Sequence, residues 1–183
     1  MKKTLLFFSL LITYSSFSQN DSRIYDIINS VSAERIEADI SKLAGFGTRH
    51  TLSDTVSDTR GIGAARRWIK SSFEEISKDC NNCLEVFYQK NFIEKGDNDR
   101  ITKDVWINNV AAIQKGTKYP NRYIIMSGDI DSRVSNPTNF TDDSPGANDN
   151  ASGMAGAIEA ARVLSKYEFE SSIIYVGLSG EEQ

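Results

Sequence analysis

Residues 149–179 read DNASGMAGAIEAARVLSKYEFESSIIYVGLS, and this stretch decides the fold. Its first half is rich in Ala and places Met154, Ile158 and Ala161 or Val163 on one side of a helix. Its second half is an apolar run of the length of a buried strand. A similar run, NRYIIMS at 121–127, predicts a strand covered on both faces. The order strand, helix, strand predicts a βαβ unit with two parallel strands, and therefore an α/β fold.

The chain before this unit predicts three helices and two more strands. Apolar residues recur at helical spacing between residues 24 and 43, with Ser32 as an N-cap between two helices and Gly45 near the end of the second. GIGAARRWIKSSFEEIS, at 61–77, predicts an amphipathic helix. LEVFYQKNF at 84–92 and DVWINNVAAIQ at 104–114 alternate in the manner of half-buried strands.

The first 18 residues have the pattern of a signal peptide. Two lysines precede an apolar core from Leu5 to Ile12, and Ser16 and Ser18 stand where a signal peptidase cleaves. A membrane anchor or a buried helix is the alternative, but the apolar core is shorter than a bilayer span. We therefore expect a secreted or periplasmic protein in which residues 19–183 belong to one domain, with no membrane association after cleavage.

The charge of the chain argues against two classes of partner. The formal net charge is −4, and it becomes −6 when Lys2 and Lys3 are removed with the signal peptide. A mildly acidic surface is unfavourable for binding nucleic acid or anionic membranes.

Cys80 and Cys83 form the only cysteine pair, in KDCNNCLEV. A zinc site needs four ligands, and one CxxC with a single His elsewhere does not supply them. A redox-active pair normally begins a helix in a thioredoxin-like setting, whereas this pair precedes a strand. In an oxidising compartment the pattern favours a structural Cys80–Cys83 disulfide.

Acidic residues follow both strands of the βαβ unit and precede its helix. Because functional groups in such sheets gather at the carboxyl ends of the strands, we expect five carboxylates to approach one edge: Asp129, Asp131, Asp149, Glu181 and Glu182. Carboxylates that converge repel unless a cation or a proton is present, so this pattern favours a divalent-metal site. The alternative is a set of solvated loop residues.

Two segments together resemble the secreted, co-catalytic di-zinc aminopeptidases, which are bacterial leucyl aminopeptidase-like zinc exopeptidases. These are PGANDNASGMAGAIEAAR at 145–162 and IIYVGLSGEEQ at 173–183, and LAGFGTRHTLSD and GIGAARRWI add to the likeness. The resemblance implies a mixed, largely parallel sheet with helices on both faces. It also implies two divalent metal ions, normally zinc, and peptide substrates.

The resemblance also implies roles for individual residues. Asp149 matches the carboxylate that bridges the two metals, and Glu182 matches a terminal ligand. Glu181 matches the general base that accepts a proton from the attacking water. Asp131 matches an acid that orients the ligand at position 129.

Position 129 departs from the family pattern, which has His-x-Asp where this chain has Asp129-Ile130-Asp131. An Asp still ligates metal through oxygen, but it favours harder ions, so Mn²⁺ or Co²⁺ could replace zinc. Asp131 could not orient a carboxylate as it would an imidazole. His50, the only His, lies in a polar loop where we expect surface exposure or loop packing rather than metal ligation.

The family requires further ligands beyond Glu182, so we expect that the sequence is the N-terminal portion of a longer catalytic domain. The function that the pattern favours is a metal-dependent exopeptidase that removes N-terminal residues from peptides. Two alternatives stay open: a non-catalytic binding module on the same fold, and a glutaminyl cyclase-like enzyme.

Overall fold

The computed structural model describes residues 21–183, so the predicted signal peptide lies outside the described residues. These residues form four helices and four strands. The helices are α1 (Ser22–Asn29), α2 (Ala33–Ala44), α3 (Gly61–Asp79) and α4 (Ser152–Leu164), and the strands are β1 (Leu84–Ile93), β2 (Val105–Gln114), β3 (Tyr119–Asp129) and β4 (Ser171–Leu178). A short π-helical turn, Ala147–Ala151, precedes α4. Among these described elements, no helix has the length and apolar character needed to cross a bilayer.

Helix α2 begins where the sequence predicts, and helices α3 and α4 bury the predicted faces. Ser32 caps α2, since its Oγ accepts the N–H of Arg35 at 3.1 Å. Ile62, Ile69 and Phe73 of α3 are fully buried, as are the predicted inward residues of α4. The apolar residues of α1 differ, because Ile28 is 60% exposed and no residue of that helix is buried.

The strands form one mixed sheet in the order β1-β2-β4-β3. β3 and β4 are parallel and joined by α4, so the predicted βαβ unit and the mixed α/β fold are confirmed. In the described part, however, antiparallel pairings are the majority, because β1 and β2 form a hairpin and β2 also runs antiparallel to β4. The expectation of a largely parallel sheet therefore does not hold for these four strands.

Helices α3 and α4 pack on one face of the sheet. Helices α3 and α4 contact each other and share one core with the inward side chains of β2 and β4, among them Val110, Ile173 and Tyr175. This differs from the expected two covered faces. The prediction that 121–127 is covered on both faces is wrong for the described residues, because β3 is an edge strand and Ile124 and Ile125 are 58% and 63% exposed.

A disulfide joins Cys80 to Cys83 at the point where α3 ends. The backbone of Asn81 and Asn82 is left-handed, with φ of 59° and 61°, and the N–H of Asn82 donates to Ser77 at 2.7 Å. Asn tolerates this conformation better than most residues. The disulfide therefore closes the tight turn that connects α3 to β1.

Helix α2 is attached to α4 through a buried carboxylate. Glu159 is 2% exposed and accepts hydrogen bonds from the backbone N–H of Ser32 at 2.8 Å and from Nε of Arg35 at 2.9 Å. Arg162 binds Asp39 of α2 at 2.6 Å. Burial alone would raise the pKa of Glu159, but the hydrogen bonds from Arg35 and Ser32 hold that pKa below its ordinary value.

The variant Glu159→Gln should lose about 1–3 kcal/mol of unfolding free energy near neutral pH, because it removes a buried charged acceptor. The contribution of Glu159 is present above the ordinary carboxyl pKa of 4.5 and is lost as the pH falls below it. Denaturant unfolding at several pH values should therefore show the two proteins converging in acid. Glu37→Gln, at an exposed position of α2, is the control and should match the wild type. A difference that does not change with pH would contradict this account.

Candidate metal centre

The parallel strands β3 and β4 end side by side. Asp129 and Leu178 are register partners, and the N–H of Ile130 donates to the carbonyl of Leu178 at 2.6 Å. Beyond Leu178 the chain turns at Gly180, whose φ is +91°, and this turn carries Glu181 and Glu182. The two strand ends therefore present their acids at one edge of the sheet, as the topology predicts.

Asp131 is the carboxylate that holds this turn. It is 1% exposed and accepts hydrogen bonds from Thr51 Oγ1 at 3.0 Å and from the backbone N–H groups of Gly180 at 3.0 Å and Glu182 at 3.1 Å. Burial raises the pKa of Asp131, and these hydrogen bonds oppose the rise. Asp131 thus binds the segment that carries the Glu pair.

Glu181 and Glu182 have different environments although they are neighbours. Glu182 forms an ion pair with Nε of Arg133, a residue that the sequence analysis did not identify. Glu181 is exposed. Its pKa is raised, first by the charge of Glu182, then by burial, and then by the charges of Asp129, Asp131 and Asp149. The other four predicted acids are therefore close enough for their charges to affect Glu181.

Asp129 receives its hydrogen bond from Asn150. Nδ2 of Asn150 donates to Asp129 Oδ2 at 2.9 Å, while Oδ1 of Asn150 accepts the N–H of Gly153 at 2.8 Å. A Cβ at Gly153 would lie 2.2 Å from that Oδ1, so the glycine makes room for the amide. The sequence analysis did not assign a role to Asn150, and its position beside Asp149 in NDNASG was the available signal.

Asp149 lies in the turn before α4. It is exposed, its φ and ψ of −120° and 99° are extended, and its peptide bond to Asn150 is cis. This turn places Asp149 one residue from the amide that binds Asp129. The candidate ligands of β3 and of the α4 turn are thereby connected through a single side chain.

Arg49 holds the loops behind this edge and was also missed by the sequence analysis. It is 1% exposed, and its guanidinium donates to the carbonyls of Leu43 at 3.0 Å, Ile130 at 2.7 Å, Pro145 at 2.7 Å and Gly146 at 3.1 Å. Burial lowers the pKa of Arg49 to about 10, and the charge of Asp131 opposes that shift. Arg49 therefore stays charged at neutral pH.

His50 packs within the loops and is fully buried. Its Nδ1 accepts the N–H of Leu52 at 3.0 Å, and its Nε2 lies 2.9 Å from the carbonyl of Pro137. With Nδ1 as an acceptor, the proton resides on Nε2 and is donated to Pro137. The loop-packing prediction is confirmed, and the alternative of surface exposure is wrong.

The donor chemistry of this edge fits a divalent ion. Its carboxylates raise the pKa of Glu181 by mutual repulsion, and a cation would relieve that repulsion. Within residues 21–183, no three of the His, Cys, Asp and Glu side chains are already grouped closely enough to hold a metal. The ligand roles of Asp129, Asp149 and Glu182, and the base role of Glu181, therefore stay predictions.

The described sheet and helices match the fold of solved structures that include a Zn-dependent exopeptidase and several glutaminyl cyclases. Residues 109–183 match the model of Peptidase family M28. The segments PGANDNASGMAGAIEAAR and IIYVGLSGEEQ both lie within the matched residues, so the resemblance identified from the sequence is confirmed as a resemblance to zinc peptidases of this kind.

Curated relatives extend the similarity over most of the chain. A probable zinc metalloprotease of Pyrenophora tritici-repentis is 46% identical over 163 residues, which cover 89% of this chain and 33% of that protein. A probable zinc metalloprotease of Leptosphaeria maculans is 43% identical over 163 residues, covering 89% and 37%. The chain thus spans about a third of the length of these relatives.

Solved structures share the fold at low sequence identity. The LapA aminopeptidase of Legionella pneumophila aligns with a TM-score of 0.65 and 18% identity, over 100% of this chain and 44% of its own. The glutaminyl cyclase of Bacteroides thetaiotaomicron aligns with a TM-score of 0.64 and 18% identity, over 84% and 48%. At these identities the likeness establishes the fold alone.

The variant Asp131→Asn should loosen the Gly180–Glu182 turn. It replaces an acceptor of two backbone N–H groups with an amide that has one oxygen, at a cost of about 1–3 kcal/mol. Hydrogen exchange should become faster at the amides of Gly180 and Glu182. Thr51→Val removes only one donor to the same carboxylate and should have a smaller effect. Wild-type exchange at both amides of the Asn variant would show that Asp131 does not hold the turn.

Proposed function

We propose that this chain is part of a metal-dependent exopeptidase that hydrolyses N-terminal residues from peptides. The observation that carries the proposal is the edge formed by the ends of β3 and β4, where the Glu181–Glu182 pair lies in the field of Asp129 and Asp149. The match to Peptidase family M28 and the names of the curated relatives support a zinc-dependent peptidase. Because the chain spans only about a third of those relatives, the proposed activity is that of the longer protein.

The proposed cofactors are two divalent ions, zinc in the first place, and the oxygen ligand at position 129 would also suit Mn²⁺ or Co²⁺. Asp129, Asp149 and Glu182 would hold them, with Asp149 between the two. When bound, such ions acidify water and polarise the scissile carbonyl. Glu182 would exchange its ion pair with Arg133 for the metal.

Glu181 would act as the general base. It is an exposed carboxylate at the turn, next to the candidate ligand Glu182, and carboxylates are among the groups that serve as general bases. It would accept a proton from the attacking water and deliver it to the leaving amine. Asp131 would keep Glu181 in position through its hydrogen bonds to Gly180 and Glu182.

The proposed setting is outside the cytoplasm, in the periplasm or secreted. The signal-peptide pattern of residues 1–18 supports it, and so does the disulfide between Cys80 and Cys83. The partners would be peptide substrates, without nucleic acid and without a membrane after signal cleavage.

Glu181→Gln in the full-length protein should lower kcat for an aminoacyl p-nitroanilide by about 10²–10⁴-fold, because the amide does not accept a proton. Its zinc content, measured by elemental analysis, should stay at the wild-type value. Glu168→Gln, at an exposed site away from the edge, is the matched control. If the variant kept a kcat within a few-fold of the wild-type value, Glu181 would not be the general base. A wild-type protein that binds peptide without cleaving it would favour the binding-module alternative.

A glutaminyl cyclase activity is the second candidate. The observation that favours it is the presence of several bacterial glutaminyl cyclases among the solved structures with this fold. The peptidase is preferred because the relatives with higher sequence identity are described as zinc metalloproteases.

A direct comparison of products separates the two activities. Incubation of the zinc-loaded protein with a peptide beginning Gln-Phe should release free glutamine and the shortened peptide, detected by mass spectrometry. A product lighter by one ammonia, with no shortened peptide, would instead identify a cyclase. A Leu-Phe peptide is the control, since only a peptidase could act on it.

A further inference from the structure

The turn that carries Glu181 is bound by two different parts of the chain. The buried Asp131 accepts the N–H groups of Gly180 and Glu182. Further contacts come from the hairpin of β1 and β2, which supplies none of the five candidate acids. The contacts of the hairpin with this turn therefore need an explanation of their own.

Asn109 continues the connection between β2 and β4 beyond the end of their ladder. The main-chain pairing of these strands ends at Val110 and Gly177. Past this point the side chain of Asn109 accepts the N–H of Ser179 at 2.8 Å, and Ser179 Oγ donates to the carbonyl of Asn108 at 2.9 Å. Ser179 is thus bound to β2 immediately before the turn begins.

The amide of Asn109 is itself oriented by β1. Its Nδ2 donates to Oε1 of Gln89 at 2.8 Å, so its Oδ1 is left for the N–H of Ser179. Strand β2 also packs on the turn, because a Cβ at Gly180 would lie 2.7 Å from Cδ1 of Ile107. The turn therefore fits closely against β2.

Arg100 binds the other end of the same turn. It lies in the connection between β1 and β2, and its Nη1 donates to the carbonyl of Glu182 at 2.9 Å. Asn98 Oδ1 accepts the N–H of Arg100 at 2.8 Å, and the next residue, Ile101, is 2% exposed and packs in a small apolar core. Arg100 thus extends from an anchored segment to the backbone of Glu182.

We propose that the β1–β2 hairpin positions the general base: Asn109 fixes the backbone before Glu181, and Arg100 fixes the backbone after it. This inference rests on the proposed function, because only there does Glu181 accept a proton. Glu181 keeps an exposed side chain on a backbone that is bound at both ends. A base must lie within hydrogen-bond reach of the water whose proton it accepts, and a small displacement lowers the rate of that step. Asn109 and Arg100 are positioning residues, since they act through Glu181.

Hydrogen exchange tests whether Asn109 holds this backbone, without reference to activity. In Asn109→Ala the N–H of Ser179 loses its acceptor, so exchange at that amide, read by NMR, should be about tenfold faster. Asn109→Asp keeps an acceptor oxygen and should retain slow exchange. Asn91→Ala, at an exposed site of β1, is the matched control and should exchange as the wild type does. Wild-type exchange at Ser179 in Asn109→Ala would overturn the proposal.

Steady-state kinetics of the zinc-loaded full-length protein test the effect on the base. Asn109→Ala and Arg100→Ala should each lower kcat for an aminoacyl p-nitroanilide about tenfold, with KM and zinc content near the wild-type values. Arg100→Lys still carries a donor for the carbonyl of Glu182 and should recover most of kcat. Arg100 is exposed, so its variants decide the question if Asn109→Ala does not fold.

Two kinetic results would contradict the positioning role. One is an unchanged kcat in the folded alanine variants, even with faster exchange at Ser179. The other is a rise in KM alone, which would indicate a loss of substrate binding instead. A wild-type protein without peptidase activity would contradict the proposed function, and exchange at Ser179 would then still decide whether the hairpin holds the turn.

Discussion

Two buried charges, on Arg49 and Asp131, hold the backbone of the loops that carry the candidate ligands. Arg49 donates to carbonyls of α2, of the residue after β3 and of the segment before Asp149. Asp131 accepts from the turn after β4. The guanidinium of Arg49 has only donors and the carboxylate of Asp131 has only acceptors. Together they fix segments that are far apart in sequence. Neither charge could be removed without leaving backbone groups unpaired in the interior.

This arrangement explains why the candidate edge is built from loops yet has a defined shape. Backbone groups in loops lack the regular partners of helices and strands, so their hydrogen bonds must come from elsewhere. Here they come from side chains whose burial would be costly without those same hydrogen bonds. Folding of the loops and burial of Arg49 and Asp131 are therefore mutually dependent. The exposed carboxylates, Asp149 and Glu181, extend from a backbone that is already fixed.

The sequence was sufficient for the elements whose signals are local. The parallel unit around α4, the amphipathic face of α3 and the Ser32 cap each depend on spacing within one segment, and the structure confirms them. The roles of Arg49 and Asn150, by contrast, were missed. Their partners are fixed by tertiary structure, and polar residues in a loop carry no periodic signal.

Asn150 shows how the chain accommodates the departure at position 129. An imidazole at this position would donate a hydrogen bond to Asp131, which a carboxylate cannot do. The carboxylate of Asp129 therefore needs a hydrogen-bond donor to orient it. Asn150 supplies that donor to Oδ2 of Asp129, and its own orientation is set by the N–H of Gly153. Asp131 directs its oxygens to the turn of Gly180 instead. Asn150 thus orients Asp129, while Asp131 holds the turn after β4.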